Sequence, residues 1–114
     1  MTKQEYHALL TFITDAKTKN EMEDAALEQK INDCQDQLKN EGDEAVQTDV
    51  DRFKDRRFDG LKQEREELCE GFIKEKTGFT GDILPIYTDA ERQDLKGERW
   101  ARFMLNKCGC LEPM

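Results

Sequence analysis

The chain has 114 residues, a formal charge of -8 at neutral pH, 39% charged residues and 36% hydrophobic ones. This length suits one domain, and no apolar run approaches the roughly 18–20 residues of a membrane span. The charge sign opposes direct nucleic-acid binding, and without a charged-then-apolar leader the expected location is the cytoplasm.

High charge with modest hydrophobicity is a signature of disorder, but the apolar residues are periodic. Thr2-Lys3-Gln4-Glu5 reads as a capping box, followed by Tyr6, Leu9, Leu10, Ile13 and Ala16 at helical spacing. This first helix is expected to end near Lys17 to Lys19. Asn20 with Glu23 is a second start signal. Leu27, Ile31, Cys34 and Leu38 then follow at a/d steps. The two pieces predict a helical hairpin over 2–40, with a stop around Asn40 to Asp43 where Gly42 sits.

Val46, Val50, Phe53, Leu61, Leu68 and Phe72 fall within about 100° on a helical wheel, predicting a helix over 44–76. At 1.5 Å per residue its length is ~50 Å, with Gly60 and Gly71 inside and a kink expected at Gly60. Thr77-Gly78 and Gly81-Asp82 read as breaks. Because Leu84 precedes Pro85, Ile83 to Tyr87 reads as extended, which makes 77–87 a strap over the helices. Thr88-Asp89-Ala90-Glu91 is a third capping box. It opens a C-terminal helix over 88–108 that Gly109 terminates.

The charge is unevenly placed. Residues 20–55 hold twelve acidic and four basic residues, and the other 78 hold fourteen of each sign. Carboxylates three or four positions apart on a helix lie ~5–6 Å from each other, a spacing able to occupy a phosphate-binding groove. The candidate binding face is Glu21, Asp24, Glu28, Asp36, Glu44, Asp49, Asp51 and Asp55. Such a field speeds association with a basic partner and makes it salt-sensitive.

Catalytic signals are sparse. His7 is the only imidazole, so no Ser/His/Asp set can be assembled. Gly78-Phe79-Thr80-Gly81-Asp82 lacks the Lys-Ser/Thr ending of a phosphate loop. Cys34 and Cys69 sit at core-like positions. Cys108-Gly109-Cys110 can offer two thiolates, but structural zinc wants four ligands. The others would have to be Cys34, Cys69 or His7. No metal and no cofactor is expected, and the plainer reading of the motif is a helix C-cap glycine flanked by thiols.

One carboxylate pattern stands out. Glu67-Leu68-Cys69-Glu70 and Glu91-Arg92-Gln93-Asp94 each place two acids one turn apart. This resembles the Glu-x-x-Glu followed by Glu-x-x-Asp pattern of the all-α nucleoside triphosphate pyrophosphohydrolases of the MazG-like group. The resemblance covers eight positions. It implies Mg2+ held by Glu67, Glu70, Glu91 and Asp94 for nucleotide hydrolysis, the alternative to a binding role.

The expectation is therefore an all-α protein, a small bundle of about four helices in a single domain over 1–114. One long central helix and a short extended strap complete it. The long helix and the apolar Trp100-Ala101-Arg102-Phe103-Met104-Leu105 end predict self-association as a homodimer or higher oligomer, with Trp100, Phe103 and Met104 as the oligomer-interface or core contacts. The expected function is non-enzymatic binding of a basic protein surface, without membrane or direct nucleic-acid contact. In size and charge the chain is similar to phage- and mobile-element-encoded inhibitors that mimic nucleic acid. A self-assembling structural oligomer is the second alternative.

Overall fold

The computed structural model describes residues 1–42 and 44–114. Among these the regular elements are four helices and no strand: α1 (Lys3–Glu41), α2 (residues 44–77), α3 (Leu84–Arg92) and α4 (Gly97–Lys107). They divide into two compact units, Met1–Lys19 with Arg65–Met114, and Asn20–Glu64. The all-α class is the expected one, but several boundaries differ.

The hairpin over 2–40 is a single helix, α1. Its heptad seam runs without interruption through Tyr6, Leu10, Ile13, Lys17, Asn20, Asp24, Leu27, Ile31, Cys34 and Leu38. Three polar members in the middle give it the look of a break. The Asn20 side chain, far from capping a new helix, is buried and donates from Nδ2 to the Leu61 carbonyl at 3.0 Å. Glu23 accepts from Arg56 instead of closing a capping box. Tertiary partners thus satisfy the groups that a cap would have used.

The capping box at the start of α1 does form. The Glu5 N–H donates to Thr2 Oγ1 at 3.1 Å and the Thr2 N–H to Glu5 Oε1 at 3.2 Å. Hydrogen bonding to Thr2, through its side chain first and its backbone second, holds the Glu5 carboxyl below its ordinary range. At the other end Gly42 is left-handed, φ 63°, and its N–H donates to the Leu38 carbonyl at 2.9 Å. The rest of the expected stop falls on Asp43, outside the described residues.

The long helix over 44–76 is present as α2, with two wide i→i+5 turns at Arg56–Gly60 and Leu68–Ile73. Each contains one of the interior glycines, and Gly60 thus marks a wide turn where a kink was expected. A wide turn takes about one residue more than an α-helical turn. Burial accordingly falls on Cys69 and Ile73, each one residue beyond the expected Leu68 and Phe72, which pack half-buried against the same core.

The strap is shorter than 77–87, because Leu84 to Tyr87 are already helical. Pro85 lies in the first turn of α3, where its missing N–H is not needed. Asp82 Oδ1 accepts the Leu84 N–H at 3.0 Å. Thr88 is therefore inside α3, and the helix expected over 88–108 is two helices. Both end in the same way. Leu95 N–H donates to the Ala90 carbonyl at 3.1 Å and Asp94 N–H to that of Glu91 at 3.0 Å. Cys110 N–H donates to Leu105 at 2.8 Å and Gly109 N–H to Asn106 at 3.0 Å. These are paired Schellman motifs. The left-handed position is held by Gly109 (φ 83°) in one and by Asp94 (φ 54°) in the other.

The first unit is built around Trp100, which has no exposed surface, with Ile13, Ile73, Ile83, Met104 and Leu105 equally enclosed. Trp100 and Met104 are therefore interior; of the two roles expected of them, this is the core one. Phe103 is half-buried and packs against that core. The apolar circumference of α4 is consumed within its own unit.

In the second unit Leu27, Ile31, Val50 and Leu61 are buried. Arg56 and Arg57 hold the strand of chain around the first wide turn of α2 to α1. Arg56 donates to both Glu23 oxygens (Nε–Oε1 3.3 Å, Nη2–Oε2 2.9 Å) and pairs with Glu64 at 2.7 Å. Arg57 pairs with Asp24 at 3.1 Å and Glu28 at 3.4 Å.

Candidate functional site

The eight acidic positions do not share one role. Asp24 and Glu28 face Arg57 and serve the packing of their own unit. Glu21 is half-buried. Asp49 pairs with Arg52 at 3.0 Å one turn along α2, and Asp51 accepts from Gln47 at 3.0 Å. Asp49 and Asp51 are two residues apart and so point to different sides of the helix. Asp36, Glu44 and Asp55 are exposed. The eight are thus spread over more than one helix face and are not a single stripe.

The charge asymmetry nevertheless persists at the level of the units. The unit Asn20–Glu64 contains fourteen acidic and seven basic residues, a net charge of -7, against -1 for the remainder. Its large exposed apolar side chains among the described residues are Met22 and Phe58, and the Arg57 guanidinium lies 5.2 Å from the Phe58 ring centroid.

In the other unit, Lys17 is a group that sequence reasoning passed over. It is only 4% exposed, its Nζ lies 3.0 Å from Glu91 Oε1, and it stands over the Trp100 ring at 5.1 Å from the centroid. Its position on the α1 seam, one step after Ile13, was the available signal. Around it, burial pushes the Cys69 thiol up to about 12. Burial also raises the Tyr87 hydroxyl to about 12, partly offset by Arg65, whose Nε donates to it at 2.7 Å. Trp100 Nε1 and Thr14 Oγ1 are buried without a hydrogen-bond partner among the described residues. This constellation is packed interior, and what it does is hold helices together.

The four carboxylates of the hydrolase-like pattern are each differently engaged. Glu70 pairs with Lys74 at 3.5 Å, Glu91 with Lys17 at 3.0 Å and Asp94 with Lys96 at 3.8 Å, while Glu67 is exposed. Asp94 lies past the end of α3 in a left-handed conformation, so it is not one helical turn from Glu91 on a common face. Among the described residues, no three His, Cys, Asp or Glu side chains come together as a metal ion would require.

The four cysteines are free thiols. Cys108 occupies the cap of α4 and Cys110 the second position beyond it, as expected for thiols flanking a C-cap glycine. Burial raises both thiols above their ordinary range. His7 pairs with Glu112 at 3.0 Å. No protein-family model, curated protein or solved structure matches the chain.

Proposed function

We propose that the protein is a binding protein whose unit Asn20–Glu64 engages a basic protein surface. The carrying observation is the partition of charge: -7 of the net -8 belongs to this unit of 45 residues. Arg56 and Arg57 satisfy the inner carboxylates Glu23, Asp24, Glu28 and Glu64, so the outer ones are left to set the field that a partner meets. Complementary charge speeds encounter and fixes register more than it raises affinity. In its narrower form, the reading is that the outer carboxylates occupy a phosphate-binding groove and so block a nucleic-acid-handling partner.

The test is affinity capture from lysate at low and at high salt, followed by charge reversal of Asp36, Glu44 and Asp55 to lysine. These three positions leave the inner arginine pairs in place. A basic partner held at low salt, released at high salt and lost by the triple variant is the expected result. A partner retained by the triple variant at unchanged affinity overturns the proposal.

A further inference from the structure

The unit Met1–Lys19 with Arg65–Met114 has an outward-facing feature of its own, independent of the acidic reading. On α1, Glu5, Ala8, Leu9 and Phe12 recur at i, i+3, i+4 and i+7, one face of the helix. Leu9 is buried, while the Phe12 ring is 54% exposed. On α2 the wide turn Leu68–Ile73 takes Cys69 and Ile73 inward and leaves Phe72 half-buried, with Lys76 exposed one turn later. The Phe12 and Phe72 rings meet at 4.4 Å between centroids. A groove of about 510 Å³ has this pair, Glu5, Ala8, Leu9 and Lys76 in its wall. We propose that the groove is the contact face of a homodimer, covered by the same groove of a second copy.

Shape and charge select that occupant. The face has two rungs, each with one member on either helix. Phe12 stands beside Phe72 in one, and Glu5 shares the wall with Lys76 in the other. The rungs are seven residues apart on α1, about 10 Å at 1.5 Å per residue. A two-fold axis along the groove, lying in the plane of contact, sets α1 of one copy against α2 of the other. Each rung then meets its own counterpart with the members exchanged. Phe12 faces Phe72 of the second copy, Glu5 faces Lys76 of the second copy, and each contact occurs twice, as an isologous interface requires.

The charges are available for this exchange. Among the described residues Lys76 has no carboxylate partner, and its ammonium stands 5.8 Å from the Phe72 ring centroid. Glu5 accepts the Thr2 N–H through Oε1, which leaves its negative charge unneutralised. A partner of one charge sign would meet a like charge at one member of this rung, whereas a copy of the same face meets none.

The experiment is sedimentation equilibrium of the full chain from about 10 μM to about 1 mM. The face is short, at the low end of interface sizes, so the dimer should have a Kd of about 1–100 μM. Phe12→Ala should raise that Kd by at least about 10-fold, as the loss of a central aromatic. Glu5→Lys and Lys76→Glu each set like charges opposite each other twice, and each should also raise it by at least about 10-fold. An equimolar mixture of these two variants restores opposite charges at both contacts and should associate nearly as well as the wild type. A loss of stability in either variant could not produce that recovery, and circular dichroism checks that each keeps its helices. A wild-type chain still monomeric at about 1 mM overturns the proposal, as does wild-type affinity in Phe12→Ala. A mixture that associates no more tightly than its separate components overturns the exchange of Glu5 and Lys76 across the axis.

Discussion

Lys17 and Glu91 should respond very differently to substitution, although they form one ion pair. The Lys17 side chain is 5% exposed and that of Glu91 43%, so only one of the two charges has surrendered its water. Removing Glu91 takes one carboxylate partner from an ammonium enclosed between α1 and Trp100. Breaking a buried pair in this sense costs 3–5 kcal/mol, and the partial exposure of Glu91 puts Glu91→Ala near the bottom of that range, about 3 kcal/mol. Removing the lysine charge while keeping its length is the opposite case. Lys17→Met leaves a carboxylate that water can reach and fills the same space, so its cost should stay within about 1 kcal/mol. At roughly 4 °C per kcal/mol for a chain of this size, Glu91→Ala should lower Tm by about 12 °C and Lys17→Met by no more than about 4 °C. Trp100 is the only tryptophan and lies beneath the ammonium, so urea unfolding followed by its fluorescence reads the affected core directly. The double variant should recover most of the Glu91→Ala loss, since the buried ammonium that Glu91 helps to neutralise is gone. A Lys17→Met cost equal to or larger than that of Glu91→Ala would refute this reasoning.

Other consequences are equally open to measurement. Asp94→Gly should stabilise the chain by about 0.5–1 kcal/mol in chemical denaturation, because a left-handed residue is strained unless it is glycine; a loss of stability would count against the Schellman assignment. Asn20→Leu should cost about 1–3 kcal/mol, from the loss of a buried donor to the Leu61 carbonyl, whereas an N-cap role would make Asn20→Ser harmless and Asn20→Leu only mildly costly. Burial raises Cys69 to about 12 in the folded state from an ordinary value of 9.0. The folded chain then binds more protons than the unfolded one between those values, so the contribution is complete below about pH 9 and is lost as pH climbs toward 12. Tyr87 adds a loss of the same sign between 10.0 and about 12. Cys69→Ala should therefore flatten the early part of the alkaline destabilisation measured by Tm against pH, and an unchanged slope would contradict the assignment.

Helix identity was legible wherever a stretch of chain carries its own signal. Thr2 and Glu5 satisfy each other locally, and Gly42, Gly78 and Gly109 terminate helices through their own backbone freedom. The reading went astray where a residue answers to a distant partner. Asn20 and Glu23 look like a cap because the sequence does not show Leu61 and Arg56 waiting for them. Thr88 and Glu91 look like another, yet Glu91 belongs to Lys17, seventy-four residues away. Pro85 looks like a break because its tolerance in a first helical turn depends on where the helix begins, which Asp82 decides.

The same logic divides the acidic candidates. Spacing alone could not separate Asp24 and Glu28, which neutralise Arg57, from Asp36, Glu44 and Asp55. Composition records how much negative charge the unit has, and only the packing of α1 against α2 records how much of it is already used. A basic partner would meet the remainder. For that reason the outer three carboxylates, and not the whole set of eight, are the positions whose reversal separates binding from folding.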